Sequence, residues 1–135
     1  MTEENLDKIA AEIGFELADT IKRDEIDKEK IKNKAKELER TLTKALGILI
    51  EDGLLAYAIW LESEDETEII DQSFRLLKDK TKLIENNYTN NKEKLRKAIL
   101  KEISTSIEKT LLARQLLERM LVYARYRAKA LQKGD

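Results

Sequence analysis

Apolar residues recur along most of this chain at steps of three and four, the spacing that gathers side chains on one side of an α-helix. Leu6, Ile9, Ala10, Ile13, Leu17 and Ile21 form the first stripe and predict an amphipathic helix from about Glu4 to Arg23. Gly14 lies inside it. A glycine there costs roughly 1 kcal/mol against alanine, so it marks either a close helix crossing or simple tolerance. A polar turn at Asp24 to Asp27 comes next, with Asp24 or Asp27 placed to cap a second helix carrying Ile31, Ala35, Leu38, Leu42, Leu46 and Leu49. The densest apolar run, Lys44 to Leu61, holds thirteen apolar residues and the only tryptophan, Trp60. Charge interrupts its middle only at Glu51 and Asp52, which predicts a central helical hairpin or kinked helix buried on both flanks. The break is expected near Glu51 to Gly53, with Gly53 supplying permissive backbone and Asp52 an N-cap for Leu54 onward.

Beyond that run, Ser63-Glu-Asp-Glu66 has the form of a capping box and predicts a new helix start. Ile69, Ile70, Phe74, Leu77 and Ile84 give this helix one buried stripe, and Asn86-Asn-Tyr-Thr-Asn-Asn91 ends it as a polar loop. Asn90 with Glu93 is spaced to cap the next helix. The pattern Leu95, Ile99, Ile103, Ile107, Leu111, Leu117 and Leu121 then runs almost to the C-terminus, interrupted at Ser104-Thr-Ser106. Thr105 and Glu108 match a further capping box, so two helices, roughly 92–103 and 106–131, are expected rather than one. The whole reads as an all-α, single-domain bundle of five to six helices.

Composition sharpens this. Among 135 residues there is no proline and only four glycines, a helical rather than a sheet composition, and charged residues make up 39 % of the chain. Cysteine and histidine are both absent, which removes thiolate and imidazole chemistry, Cys/His zinc sites and disulfides together. No catalytic or metal-binding residues, cofactor or small-molecule substrate are therefore expected; the acidic run Glu62, Glu64, Asp65, Glu66 and Glu68 reads as a helix start. The charged first twenty residues argue against a secretory signal, and no stretch reaches the roughly 18 apolar residues of a membrane span. A cytoplasmic protein without a membrane partner is expected.

The net charge of −1 conceals a division. Residues 1–66 carry 10 Lys/Arg against 18 Asp/Glu, and residues 67–135 carry 16 against 9. An acidic front and a basic back suit head-to-tail self-association or a basic face laid on a polyanion. In the last helix Arg114, Arg119, Arg125, Arg127 and Lys129 interleave with Tyr123 and Tyr126, a combination able to pair phosphates and stack on bases. In the second, Lys28, Lys32, Lys36, Arg40 and Lys44 recur every four residues as a basic stripe beside the apolar one. Each set also reads as a solvated helix face: Asp24, Glu29 and Glu37 accompany the stripe, Glu118 is spaced to pair with Arg114, and Tyr123 lies beside the apolar positions. Lys92, Lys94, Arg96, Lys97 and Lys101 form a third, weaker cluster beside the Asn-rich loop.

The stretch Leu46-Gly-Ile-Leu-Ile-Glu-Asp-Gly-Leu-Leu-Ala-Tyr-Ala-Ile-Trp-Leu-Glu-Ser63 resembles the central motif of the small helical subunit of the type III-B (Cmr) CRISPR effector complex. Asp52-Gly53-Leu54 stands where that family has Asn-Gly-Leu, and Gly47 stands where it has proline. Met120-Leu-Val-Tyr-Ala-Arg-Tyr-Arg-Ala128 resembles the family's closing aromatic and basic helix. The small subunits of type III-A (Csm) and type I complexes share the same short, helical, one-face-basic character. The resemblance implies a non-catalytic subunit that stacks with copies of itself and with other effector subunits as a minor filament, against guide RNA and target RNA. Arg114, Arg119, Arg125, Arg127 and Lys129, then Lys32, Lys36 and Arg40, are the residues expected to touch the RNA backbone. A helical adaptor that binds only protein is the other reading.

Overall fold

The computed structural model describes residues 2–134, and of Glu3 the backbone alone. Its first two helices, α1 (Glu3–Asp24) and α2 (Lys28–Asp52), are joined by a short polar turn. Thr2 caps α1 by accepting from the Asn5 N–H, and Asp27 caps α2 by accepting from the N–H groups of Glu29 and Lys30 at 2.9 and 3.3 Å. Gly53, at φ 98°, turns the chain directly into α3 (Leu54–Ser63). That angle is the reason a glycine stands there. Gly53 itself occupies the N-cap of α3, while Glu51 and Asp52 complete the last turn of α2, so the expected capping role of Asp52 is not realised.

The segment α4 (Thr67–Arg75) continues as a π-helical turn over Leu76–Lys80, and α5 (Lys94–Ala98) as another over Ile99–Ile103. The last helix, α6, spans Ile107–Gln132. These six helical segments confirm an all-α bundle. Three local expectations give way. Ser63 closes α3, its hydroxyl donating to the Trp60 carbonyl, and Asp65 at φ 54° makes the turn into α4. Asn91 rather than Asn90 receives the Glu93 N–H, and Ser106 rather than Thr105 caps α6 by accepting from the Lys109 N–H. Polar residues cluster at each junction, and the hydroxyl or amide that meets a free N–H is decided by the turn's path.

Helix α6 lies between α1 and α2, while α3 and the two π turns close over its other side and α4 and α5 pack against α3. It runs parallel to α1, with Arg119 against Asp7 and Arg127 against Asp19, and antiparallel to α2, with Arg114 against Ile50 and Lys129 against Glu39. Leu42, Leu49, Leu61, Ile69, Leu77, Ile99, Leu117 and Leu121 fill the core between the layers. Within it the Tyr57 and Ser73 hydroxyls meet at 2.8 Å, and burial raises the Tyr57 pKa because phenolate has no water there.

Gly14 marks a crossing: an added Cβ would come within 2.5 Å of the Met120 carbonyl and 3.0 Å of the Ala124 nitrogen. The C-terminal stripe holds at Leu95, Ile99, Ile103, Leu117 and Leu121 but is interrupted between them. Ile107 and Leu111 are 81 and 60 % exposed, because α6 restarts in a new phase after the break and buries Ala113, Leu116 and Met120 beside the expected Leu117 and Leu121. Ile50 and Ile59 are likewise exposed, so the central run keeps an outward side at both of its helices.

Candidate nucleic-acid interface

Helix α2 buries Ala35, Leu42 and Leu49, seven residues apart. A residue four places along the helix turns by about 40°, so the basic row winds by about 160°, from Lys28 on the side of buried Leu46 to Lys36, Arg40 and Lys44 on the outer side. Lys28, Lys36, Arg40 and Lys44 are all exposed and, among the described residues, none has a carboxylate partner; Lys32 is 3.9 Å from Glu29. Lys36, Arg40 and Lys44, without ion-pair partners among the described residues, form on the outer side of α2 a region of positive potential that an incoming polyanion can neutralise.

The five cations expected on α6 divide between its two flanks. Arg119 and Arg127 turn to α1: Arg119 is 3.8 Å from Asp7, and Arg127 Nε donates to the Asp19 carboxylate at 2.8 Å. Tyr123 joins them, donating to the same Asp7 at 2.8 Å with its ring edge-on to Phe15. That hydrogen bond, with burial and the Asp7 charge behind it, raises the Tyr123 pKa. Arg114 and Lys129 turn to α2, where Arg114 donates to the Ile50 carbonyl and pairs with Glu118, and Lys129 lies 3.8 Å from Glu39. Arg125, four residues before Lys129, has a buried Nε that makes no hydrogen bond among the described residues. Helical spacing puts it on the α2 flank with Lys129. Sequence order brought all five together as one set; the fold leaves Arg125 and Lys129 beside the α2 row and ties Arg119 and Arg127 into a seam with α1.

The same pairing accounts for much of the acidic front and basic back. Arg75 meets Glu16, Arg96 holds Glu62 through two hydrogen bonds of 2.8 and 3.2 Å, Lys92 meets Asp65, and Lys94, buried over the Phe74 ring, meets Asp71 at 2.8 Å. The third basic cluster is thereby largely engaged within the molecule. Glu102 binds the Asn-rich loop in the same way, accepting from the N–H groups of Glu85 and Asn86 and from the Tyr88 hydroxyl. Burial would raise the Glu102 pKa, but these donors and nearby Lys109 together lower it, while burial and the carboxylate push Tyr88 up to about 12.

Reading in order along the chain misses one element. Arg40, Thr41 and Lys44 of α2 face Trp60, Glu64 and Glu66 across an open cleft of about 330 Å³. Trp60 sits in the densest apolar run and reads there as core; the signal that it reaches the surface is the antiparallel return of α3 along α2, which needs Gly53 and the three-dimensional path. Among the described residues, no cluster of acidic side chains is placed to hold a metal ion, and no helix is long and apolar enough to cross a membrane.

Fold and surface together define a small all-α protein with an outward basic row on α2. Comparison with known proteins finds no matching family model, no matching characterised protein and no matching solved structure.

Proposed function

We propose that this chain is a non-catalytic, cytoplasmic structural subunit of a CRISPR RNA-guided effector complex, contacting the backbone of guide or target RNA. The observation that carries the RNA contact is the row Lys36, Arg40 and Lys44, with Lys28 at the helix start, exposed and, among the described residues, without internal ion pairs, where most other cation clusters are engaged. Such a row meets successive phosphates without reading bases, giving salt-sensitive, sequence-tolerant binding. Lys32, Arg125 and Lys129 extend it towards α6. The assignment to a type III small subunit rests on the resemblance around Asp52-Gly53-Leu54 and at Met120 to Ala128. Stacking against copies of itself and other effector subunits rests on that resemblance too.

Binding of labelled single-stranded RNA at low salt tests the RNA contact. The intact chain is expected to bind, and Lys36→Glu with Arg40→Glu to lose most of the affinity while keeping the fold. Equal binding by that variant overturns the assignment of the row.

Ile107 and Leu111 favour a second reading, a helical adaptor that binds only protein. They stand one turn apart on the face of α6 that also carries Arg114, and both are exposed. An absence of RNA binding at low salt, with self-association or partner capture abolished by Leu111→Lys, would select it.

A further inference from the structure

Resting on the RNA-binding reading above, we infer that the cleft between α2 and α3 is a subsite for one unpaired nucleotide whose base carries an exocyclic amino group, with Trp60 stacking on the ring. Three features of the cleft argue for this. First, its lips carry opposite charge: Arg40 and Lys44 stand on α2, and Glu64 and Glu66 on the turn after α3. None of these four makes an ion pair among the described residues, so the charges face each other across open space instead of closing it. Elsewhere this molecule pairs such groups readily, as Arg96 with Glu62 and Lys92 with Asp65. Burial, and then the Glu64 charge, raise the Glu66 pKa, as befits a carboxyl left without a cation of its own.

Second, Trp60 is half-buried in the wall between the lips, and its indole N–H has no hydrogen-bond partner among the described residues. An aromatic side chain beside two cations is the combination that binds single strands: the ring stacks on a base and the cations take the flanking phosphates. A duplex offers no free base face, so stacking requires an unpaired nucleotide. Third, the lips give the bound nucleotide a direction. Its phosphate belongs on the Arg40 and Lys44 side, which turns the base edge to Glu64 and Glu66. Carboxylates accept from an amino group such as cytosine N4 and offer nothing favourable to the O4 carbonyl of uracil.

Trp60 is the only tryptophan, so its fluorescence reports on this cleft alone. Titrating the full chain with oligocytidylate, oligouridylate and a duplex RNA, while following fluorescence and the anisotropy of labelled RNA together, tests the inference. Oligocytidylate should shift or quench the tryptophan signal with an affinity about tenfold above that of oligouridylate. Duplex RNA should change anisotropy without moving the tryptophan signal. Trp60→Leu should weaken oligocytidylate binding about tenfold while Trp60→Phe largely retains it. Glu64→Gln with Glu66→Gln should narrow the difference between the two homopolymers.

RNA binding that depends on Lys36 and Arg40 but leaves the tryptophan signal unmoved overturns the subsite and leaves the backbone reading standing. Equal affinity for the two homopolymers overturns the amino-group preference. Absence of RNA binding of any kind overturns both the subsite and the reading beneath it.

Discussion

The α1–α6 seam and the outer face of α2 are built from the same residue types, long cations on helices four or eight residues apart, yet they use them differently. In the seam Arg119 and Arg127 each meet an aspartate of α1, and the helices approach so closely that only a glycine fits at position 14. On α2 the cations point away from the core, and a second helical glycine, Gly47, has nothing within 4 Å of where its Cβ would lie. A charge faced by another helix becomes part of the fold; a charge with only water before it remains for a partner. Net charge per segment therefore misleads when read along the chain, because much of the acidic front and basic back cancels within one molecule.

Changes to the seam should test stability before anything else. Gly14→Val is expected to have the largest effect, destabilising by about 3 kcal/mol, since its side chain meets backbone that cannot swing away; urea denaturation measures it, and wild-type stability would mean the helices separate easily. Glu102→Gln comes next. It weakens hydrogen bonds from two backbone N–H groups and Tyr88, and should loosen the Asn-rich loop by about 1–3 kcal/mol, read from amide exchange at Glu85 and Asn86.

The same carboxylate gives a pH signature. Because folding lowers the Glu102 pKa, its contribution is present above the ordinary value of 4.5 and is lost as pH falls through the lowered one. Tyr88 works at the other end: folding raises its pKa, so its contribution is intact below 10 and is lost as pH rises through about 12. Loop protection should therefore decline at both extremes, and the acid decline should shrink in Glu102→Gln.

Asp19→Asn removes the partner of Arg127 at a partly exposed site and should cost no more than about 1 kcal/mol, diminishing with added salt. Gly47→Ala should have the smallest effect and the opposite sign, stabilising α2 by about 0.5–1 kcal/mol, because the new methyl group meets nothing. If Gly14→Ala and Gly47→Ala behaved alike, the contrast between seam and face would fail.

Much of the fold was legible in the sequence because helix periodicity is local. The stripes of α1, α2 and α4, the break at Gly53 and the break at Ser104 to Ser106 each arise from residues within a few turns of one another. The site was less legible. Nothing near Arg127 in sequence announces Asp19, 108 residues away, and nothing near Trp60 announces Arg40 and Lys44. The last stripe misled for a related reason: the step of four from Leu95 to Leu111 continues unbroken across a turn that resets the helix phase, so Ile107 and Leu111 keep the spacing of core residues while facing solvent. The two π turns have no sequence signal of comparable strength, since an added residue in a turn responds to packing by distant segments.

The central claim is that the α2 row, not the α6 seam, meets the RNA backbone, and the salt dependence of binding tests it most directly. Two variants should be compared by titrating labelled single-stranded RNA over a range of salt concentrations: Lys36→Gln, Arg40→Gln and Lys44→Gln together, and Arg119→Gln with Arg127→Gln. The first should bind more weakly, with the log–log salt slope reduced by about 3, one for each phosphate contact removed, while the second keeps the wild-type slope. A wild-type slope in the first and a reduced slope in the second would contradict the account.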